Sequence, residues 1–297
     1  MNETVKARIS LISAMLIFGT IGIFRHYIPL SSGILAFVRG LVGTLFLLGV
    51  LAIKKQPVCR EAIRRNGILL IVSGALIGFN WILLFEAYNY TTVATATLCY
   101  YMSPVFVVLA SPFLLKEHIT AKKGFCVLLS VIGMLLVSGI LTDTGEVRNL
   151  RGILFGLGAA LLYASVVLLN KRITAISAYD KTVVQLGSAA LVMIPYLLLT
   201  EDFGSIVLTP LPVILLLVVG VLHTGFSYAL YFGSFDKLPA QSVALFSYLD
   251  PAAAVILSAT VLKEPLGAWE IVGAVLVLAA AILGDVTLPK RKRHNIL

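Results

Sequence analysis

Ten apolar stretches joined by short turns take up most of this chain: Ile9–Phe24, Ile34–Ile53, Gly67–Tyr88, Val93–Leu115, Phe125–Leu141, Gly152–Leu169, Thr182–Leu199, Leu211–Phe232, Ala240–Leu262 and Ala268–Gly284. Apolar residues make up 59% of the 297 positions and charged residues only 12%, where a water-soluble domain carries roughly a quarter. Such a chain cannot cover its surface with polar groups, so its solvent is lipid. A helix crossing a hydrocarbon core about 30 Å thick needs about 20 apolar residues. The runs are continuously apolar, lack a period of two and are about twice a barrel strand in length, which excludes a β-barrel. Lys6 and Arg8 ahead of the first run imitate a secretory leader. No small-x-small cleavage site follows, so the run is read as an uncleaved first helix.

The basic residues set the orientation. Eighteen of the 23 Lys and Arg fall on one side of this arrangement, four on the other, and Arg39 lies inside a segment. The alternation is consistent with ten spans and both termini on the cytoplasmic side. The same placement argues against a nucleic-acid surface, despite a net charge of +9: the charges sit in alternate turns, not on one face. The tail Lys290–His294 is read as an anchor against anionic lipid.

The chain also repeats itself. Tyr100–Glu117 (YYMSPVFVVLASPFLLKE) and Ser247–Glu264 (SYLDPAAAVILSATVLKE) lie 147 positions apart. Tyr101 aligns with Tyr248, Pro104 with Pro251, and Lys116-Glu117 with Lys263-Glu264. Gly78-Phe79 and Gly225-Phe226 share the offset. Each repeat holds five helices, an odd number, so the second enters the membrane inverted, an arrangement common in secondary transporters. The division is placed at residues 1–145 and 146–297, the latter carrying the basic tail, within one membrane domain.

Candidate site residues follow from polar groups at membrane depth. Pro104 and Pro251 are expected to kink their helices, because proline removes an intrahelical bond. Pro104 lies twelve residues before Lys116, about 18 Å along a helix, hence near mid-depth. Tyr101, Ser103, Tyr248 and Asp250 cluster around the two prolines and are expected to line a substrate site, with Asn80, Trp81 and His223 next. Intramembrane ionisable groups are rare and tend to be functional. Asp250 is therefore read as a coupling carboxyl or a binder of a cationic group, against a carboxyl held by local hydrogen bonds. Arg39 and Glu86 share a depth, so they are candidates for a gating pair or a carboxylate clamp, against a structural ion pair. A lone histidine such as His223 is more often a packing residue than a proton shuttle. Tyr231 and Gln241 are weaker candidates. Lys116-Glu117 and Lys263-Glu264 read as helix-end anchors.

Three cysteines without CxxC spacing give no expectation of a disulfide or metal. No HExxH, Walker or GxSxG motif is present, so neither a catalytic residue nor a cofactor is expected, and energy must come from a gradient or transport is passive. Phe79–Glu117 (FNWILLFEAYNYTTVATATLCYYMSPVFVVLASPFLLKE) and Ser242–Ala281 (SVALFSYLDPAAAVILSATVLKEPLGAWEIVGAVLVLAAA) resemble the drug/metabolite transporter superfamily, in its EamA-type branch. The resemblance implies a cavity between the repeats, opened alternately to either side, and small-metabolite export. The branch often carries an acidic residue at the position of Asp250, which favours a structural role there.

The expectation is an all-α integral membrane protein of ten helices in two inverted repeats. It would be a secondary transporter exporting amino acids or related small organic metabolites across the plasma membrane, the inner or cytoplasmic membrane of a bacterium. The alternatives are a membrane enzyme acting on a lipid-linked substrate and a sensor without flux. Expected partners are a small-molecule substrate, the bilayer and protons as coupling species, with no nucleic acid. A homodimer is left open, since no small-xxx-small spacing specifies one.

Overall fold

The computed structural model describes residues 2–90, 96, 99–137, 150–205, 209–257, 260–261 and 268–285, and among them all regular structure is helical. The helices are α1 (Glu3–Gly19), α2 (Ile21–His26), α3 (Ser32–Ile53), α4 (Arg60–Tyr90), α5 (Ser103–Leu115), α6 (Ala121–Val137), α7 (Leu150–Asn170) and α8 (Ala178–Thr200). After a 3-10 turn at Phe203–Ser205 come α9 (Pro210–Val218), a π-helical stretch (Val219–Phe226) and α10 (Ser227–Gly233), which run on as one rod. Then follow α11 (Ala240–Phe246), α12 (Leu249–Leu257) and α13 (Ala268–Asp285). Five helical runs are each long and apolar enough to cross a bilayer alone: Gly33–Ile53, Arg60–Ala87, Leu150–Asn170, Ala178–Thr200 and Pro210–Gly233. This is an integral membrane protein.

Helix starts follow side-chain caps, which satisfy backbone donors that have no intrahelical partner. The Asn2 side chain accepts from Thr4 N before α1 (3.2 Å), Ser31 from Ile34 N before α3 (3.2 Å) and Ser177 from Asp180 N before α8 (3.0 Å). α5 stops at Lys116, which takes the left-handed conformation (φ 57°) and returns its N–H to Ser111 O.

The first apolar stretch is broken at Thr20, which separates α1 from α2. The paired prolines also differ from the expected kinks. Cys99 and Tyr100 are helical, Tyr101 and Met102 form a turn, and α5 begins at Ser103 with Pro104 in its first turn. Likewise α11 stops at Phe246, Ser247 and Tyr248 form a turn, and Pro251 sits in the first turn of α12. Both turns close by the same bond pattern: Met102 N to Cys99 O (3.2 Å) and Tyr248 N to Leu245 O (3.2 Å). The helices are interrupted, and each proline starts the second piece, where its missing N–H costs nothing. Among the described helices, Pro112 and Pro195 lie in the interior.

Equivalent helices begin 147 residues apart, Glu3 against Leu150 and Ala121 against Ala268. Their packing is reciprocal. α4 lies on α7 and α8, while the Pro210–Gly233 rod lies on α1 and α3. α5 meets α7, α12 meets α1, and α6 meets α13. Most interhelical contacts therefore join residues before and after the repeat boundary, so the two repeats interleave. Glycine makes the closest crossings possible. A Cβ on Gly78 would stand 2.8 Å from Ala189 O, and one on Gly225 3.0 Å from Gly43 O.

Candidate functional site

Arg39, on α3, is the centre of the polar interior. It is 9% exposed. Its Nε donates to Thr224 Oγ1 (3.0 Å), and its guanidinium lies over the Trp81 ring, 4.9 Å from the centroid. Thr224 belongs to the π-helical stretch and its hydroxyl donates to Val219 O, five residues back (3.0 Å). Single-turn π stretches re-aim side chains and recur at functional sites; here the wide turn brings Thr224 to Arg39.

Aromatic contacts lead away from Trp81 through four other elements. Trp81 meets Tyr228 edge-on (6.3 Å between centroids), Tyr228 meets Tyr231 (6.4 Å), and Tyr231 stacks on Tyr163 (6.4 Å). Tyr163 meets Tyr100 (5.7 Å), which meets Tyr101 (5.5 Å). Tyr101 is a hydrogen-bond partner of the half-buried Asp250 carboxyl, which in turn feels the Arg39 charge. Phe18 packs edge-on against Tyr228 (5.1 Å). The result is a path of rings with a guanidinium at one end and a carboxyl at the other, built from α3, α4, α7, α10, α12 and the turn at Tyr101. Arg39 and Trp81 precede the repeat boundary, while Tyr228 and Asp250 follow it.

The expected residues separate into two groups. Arg39, Trp81, Tyr101 and Asp250 come together. Ser103 is buried at the start of α5, and Tyr248 is buried with its hydroxyl enclosed and unbonded among the described residues. Asn80 turns instead to α7, where Nδ2 donates to Ala159 O (2.6 Å). Glu86 does not meet Arg39; it accepts from the Tyr196 hydroxyl (2.6 Å) and ties α4 to α8. His223 Nε2 lies 2.7 Å from Thr20 Oγ1. The Thr20 hydroxyl also lies 2.8 Å from Ile17 O, and the histidine tautomer sets which of Thr20 and His223 donates. The bond, with an edge contact to Phe24 (4.7 Å), fixes the histidine at the α1–α2 break.

Sequence reasoning passed over Tyr163, Thr224, Thr20 and Phe18. The three polar residues among them were detectable as polar groups inside apolar segments. It also missed the clamp at the lysine-rich end. Lys171 Nζ donates to Phe235 O and to Leu238 O (2.7 Å). Lys181, 1% exposed, donates to Phe232 O (3.1 Å) and pairs with Asp236 at 3.8 Å. Cations at a helix C-terminus satisfy its free carbonyls, here those of α10 and the turn after it. Burial lowers the pKa of Lys171, just past α7, against the opposing effect of Glu117 and Asp236. Glu117 accepts from Ala240 N (2.9 Å) and Gln241 N (3.4 Å), capping α11. Gln241 bridges Lys123 and Ser111, at 2.6 Å each. Lys263, Glu264 and the basic tail lie outside the described residues.

A cavity of about 430 Å³ lies elsewhere, between α3, α8 and α9, lined by apolar side chains such as Phe37, Leu197 and Leu216. With no polar group to orient a solute it is a poor candidate for a metabolite site.

Residues 5–139 and 150–284 each match the profile of the EamA-like transporter family. The uncharacterized transporter YxxF of Bacillus subtilis (strain 168) is 31% identical over 288 residues, 96% of this chain and 90% of its own. The uncharacterized transporter YoaV of the same organism is 26% identical over 97% of this chain and 99% of its own. Protein PecM of Dickeya dadantii (strain 3937) is 28% identical over 75% and 76%. One solved crystal structure superposes with a TM-score of 0.84 over 94% of this chain and 96% of that one. At 14% identity that likeness concerns the fold alone.

Proposed function

This chain belongs to the EamA-like transporter family, and we propose that it is a secondary transporter exporting small organic metabolites, amino acids or related compounds, across the plasma membrane by alternating access. The observation that carries this reading is the ring path between Arg39 and Asp250. It gathers ionisable and aromatic groups from both sides of the repeat boundary deep among packed helices, where each polar group needs a purpose. Export is the direction favoured by the family resemblance.

In this reading the chain spans the membrane ten times with both termini in the cytoplasm, and the repeats divide near residue 145. The moving bodies are not the repeats themselves, because the repeats interleave. One body is α4, α5 and α7; the other is the Pro210–Gly233 rod with α1, α11 and α12. The site sits where the two bodies meet α3 and α8. The Glu117 and Lys171 clamp then lies at the cytoplasmic end and must loosen when that end opens. Protons are the proposed coupling species and Asp250 the carboxyl that carries them.

The test is counterflow in proteoliposomes. Liposomes preloaded with the right metabolite should take up the labelled compound faster than protein-free liposomes. If a broad panel of amino acids, organic acids, amines, sugars and nucleosides gives no acceleration, the transporter assignment for this chain fails. If flux occurs but is unchanged by a pH gradient at fixed voltage, proton coupling fails and transport stands.

A further inference from the structure

We propose that the substrate carries a carboxylate on an aromatic or other flat apolar body, and that the terminal nitrogens of Arg39 take that carboxylate as a bidentate pair. The inference rests on the transporter reading and specifies its substrate class.

The Arg39 charge has no anion in contact among the described residues. Arg39 is deeply buried, yet among the described residues no carboxylate lies within 4.0 Å of its guanidinium. Its one hydrogen bond among those residues uses Nε, on the Thr224 hydroxyl, a neutral partner. Among those residues Nη1 and Nη2 make none. A guanidinium does not shed its proton, and a buried charge without a counterion is strongly disfavoured in a membrane interior. Glu86 shares its depth in the sequence but is committed to Tyr196. Asp250 acts on Arg39 through space, with its carboxyl on Tyr101. Among the described residues, then, the guanidinium keeps a fork of two donors with no anion in contact.

The surroundings choose among anions. Trp81 covers one face of the guanidinium and Thr224 occupies its Nε edge. The edge left without a bond among the described residues is the one formed by the two terminal nitrogens. That edge matches the two oxygens of a carboxylate, a geometry a lysine could not offer. Trp81 stacks on the guanidinium and continues edge-on to Tyr228, which meets Phe18 and Tyr231, neighbouring rings that favour a flat apolar body over a sugar or a polyphosphate. A single guanidinium also suits one negative charge better than several.

Two kinds of compound share this chemistry: a simple aromatic acid and an aromatic amino acid whose ammonium reaches Asp250. The chain has two tryptophans, and Trp269 is 60% exposed on α13, away from the site. Trp269→Phe thus leaves Trp81 as a fluorescent reporter beside Arg39. The full-length purified variant is titrated with phenylacetate, phenylacetamide, phenylalanine and phenethylamine. Phenylacetate should bind saturably and at least about tenfold more tightly than its amide, the loss expected when a charge-assisted pair is removed. Phenylalanine should bind and phenethylamine should not. Phenylalanine binding tighter than phenylacetate identifies the amino acid as the source, and the reverse order identifies the simple acid.

Arg39→Gln in the same background should bring acid and amide to equal affinity. The acid-to-amide ratio in the unaltered site does not depend on that variant folding. Equal binding of acid and amide, binding of neither, preference for the amine, or an acid preference surviving Arg39→Gln overturns the inference. If proteoliposomes meanwhile move neutral or cationic solutes, transport stands and only this substrate class falls; absence of flux for every solute removes the transport reading itself.

Discussion

Gly78→Ala should destabilise the protein because of a single backbone contact. A Cβ at this position would lie 2.8 Å from Ala189 O and 3.3 Å from Ala189 Cα. Both atoms belong to the backbone of α8, so no side chain can rotate away, and α4 must withdraw from α8 by roughly half an ångström. Overpacking of this kind costs about 1–3 kcal/mol. The alanine recovers about 0.5–1 kcal/mol through its better helix propensity, which leaves a net loss centred on about 1 kcal/mol and at most about 2.5 kcal/mol. Gly49 is the control: it is exposed on α3 with nothing within 4 Å of its Cβ position, so Gly49→Ala should be neutral or slightly stabilising. Unfolding of both variants in mixed detergent micelles, followed by circular dichroism, measures the difference. If Gly78→Ala unfolds at or beyond the wild-type midpoint, or Gly49→Ala falls as far, the close α4–α8 crossing is wrong.

Three further expectations test other parts of the account. Asn80→Leu should lower stability by about 0.6–1.7 kcal/mol, the range for a hydrogen bond between membrane helices, while the folded fraction keeps its affinity for substrate in the Trp81 fluorescence assay. Glu117→Ala removes the cap on α11 and should cost about 0.5–2 kcal/mol, read as a shift in the unfolding midpoint; no shift would mean that the cap is unimportant. Asp250→Asn should retain substrate exchange at equal pH on both sides and lose its acceleration by a pH gradient; an unchanged gradient response would assign Asp250 a structural role.

The family was legible in the residues, through the Phe79–Glu117 and Ser242–Ala281 stretches, and each of the ten apolar segments overlaps at least one described helix. The rotation of each helix was not legible. In a bilayer both the outward and the inward face of a helix are apolar, so no polar stripe reports which side faces the protein. Depth alone therefore suggested Arg39 with Glu86, but rotation turns Glu86 to Tyr196 on α8 and Arg39 to Thr224. Asn80 and Trp81 are neighbours in sequence and point to different partners, Ala159 and Arg39. The prolines misled for a related reason. Pro104 and Pro251 signal that a continuous helix is disturbed, but the turn that absorbs the disturbance lies just before each proline, and sequence alone does not distinguish a bend from a break. The π stretch that carries Thr224 has no proline or other sequence mark, and Tyr163 joins the ring path only because α7 packs across from α5 and α10.

The most direct measurement of the central claim is counterflow of labelled solute into proteoliposomes, comparing the wild type with Arg39→Gln at matched protein incorporation. The account predicts accelerated, saturable exchange of an aromatic carboxylate by the wild type, with that exchange lost in Arg39→Gln. Exchange of the carboxylate that persists undiminished in Arg39→Gln, or wild-type liposomes that exchange no solute faster than protein-free ones, would contradict it.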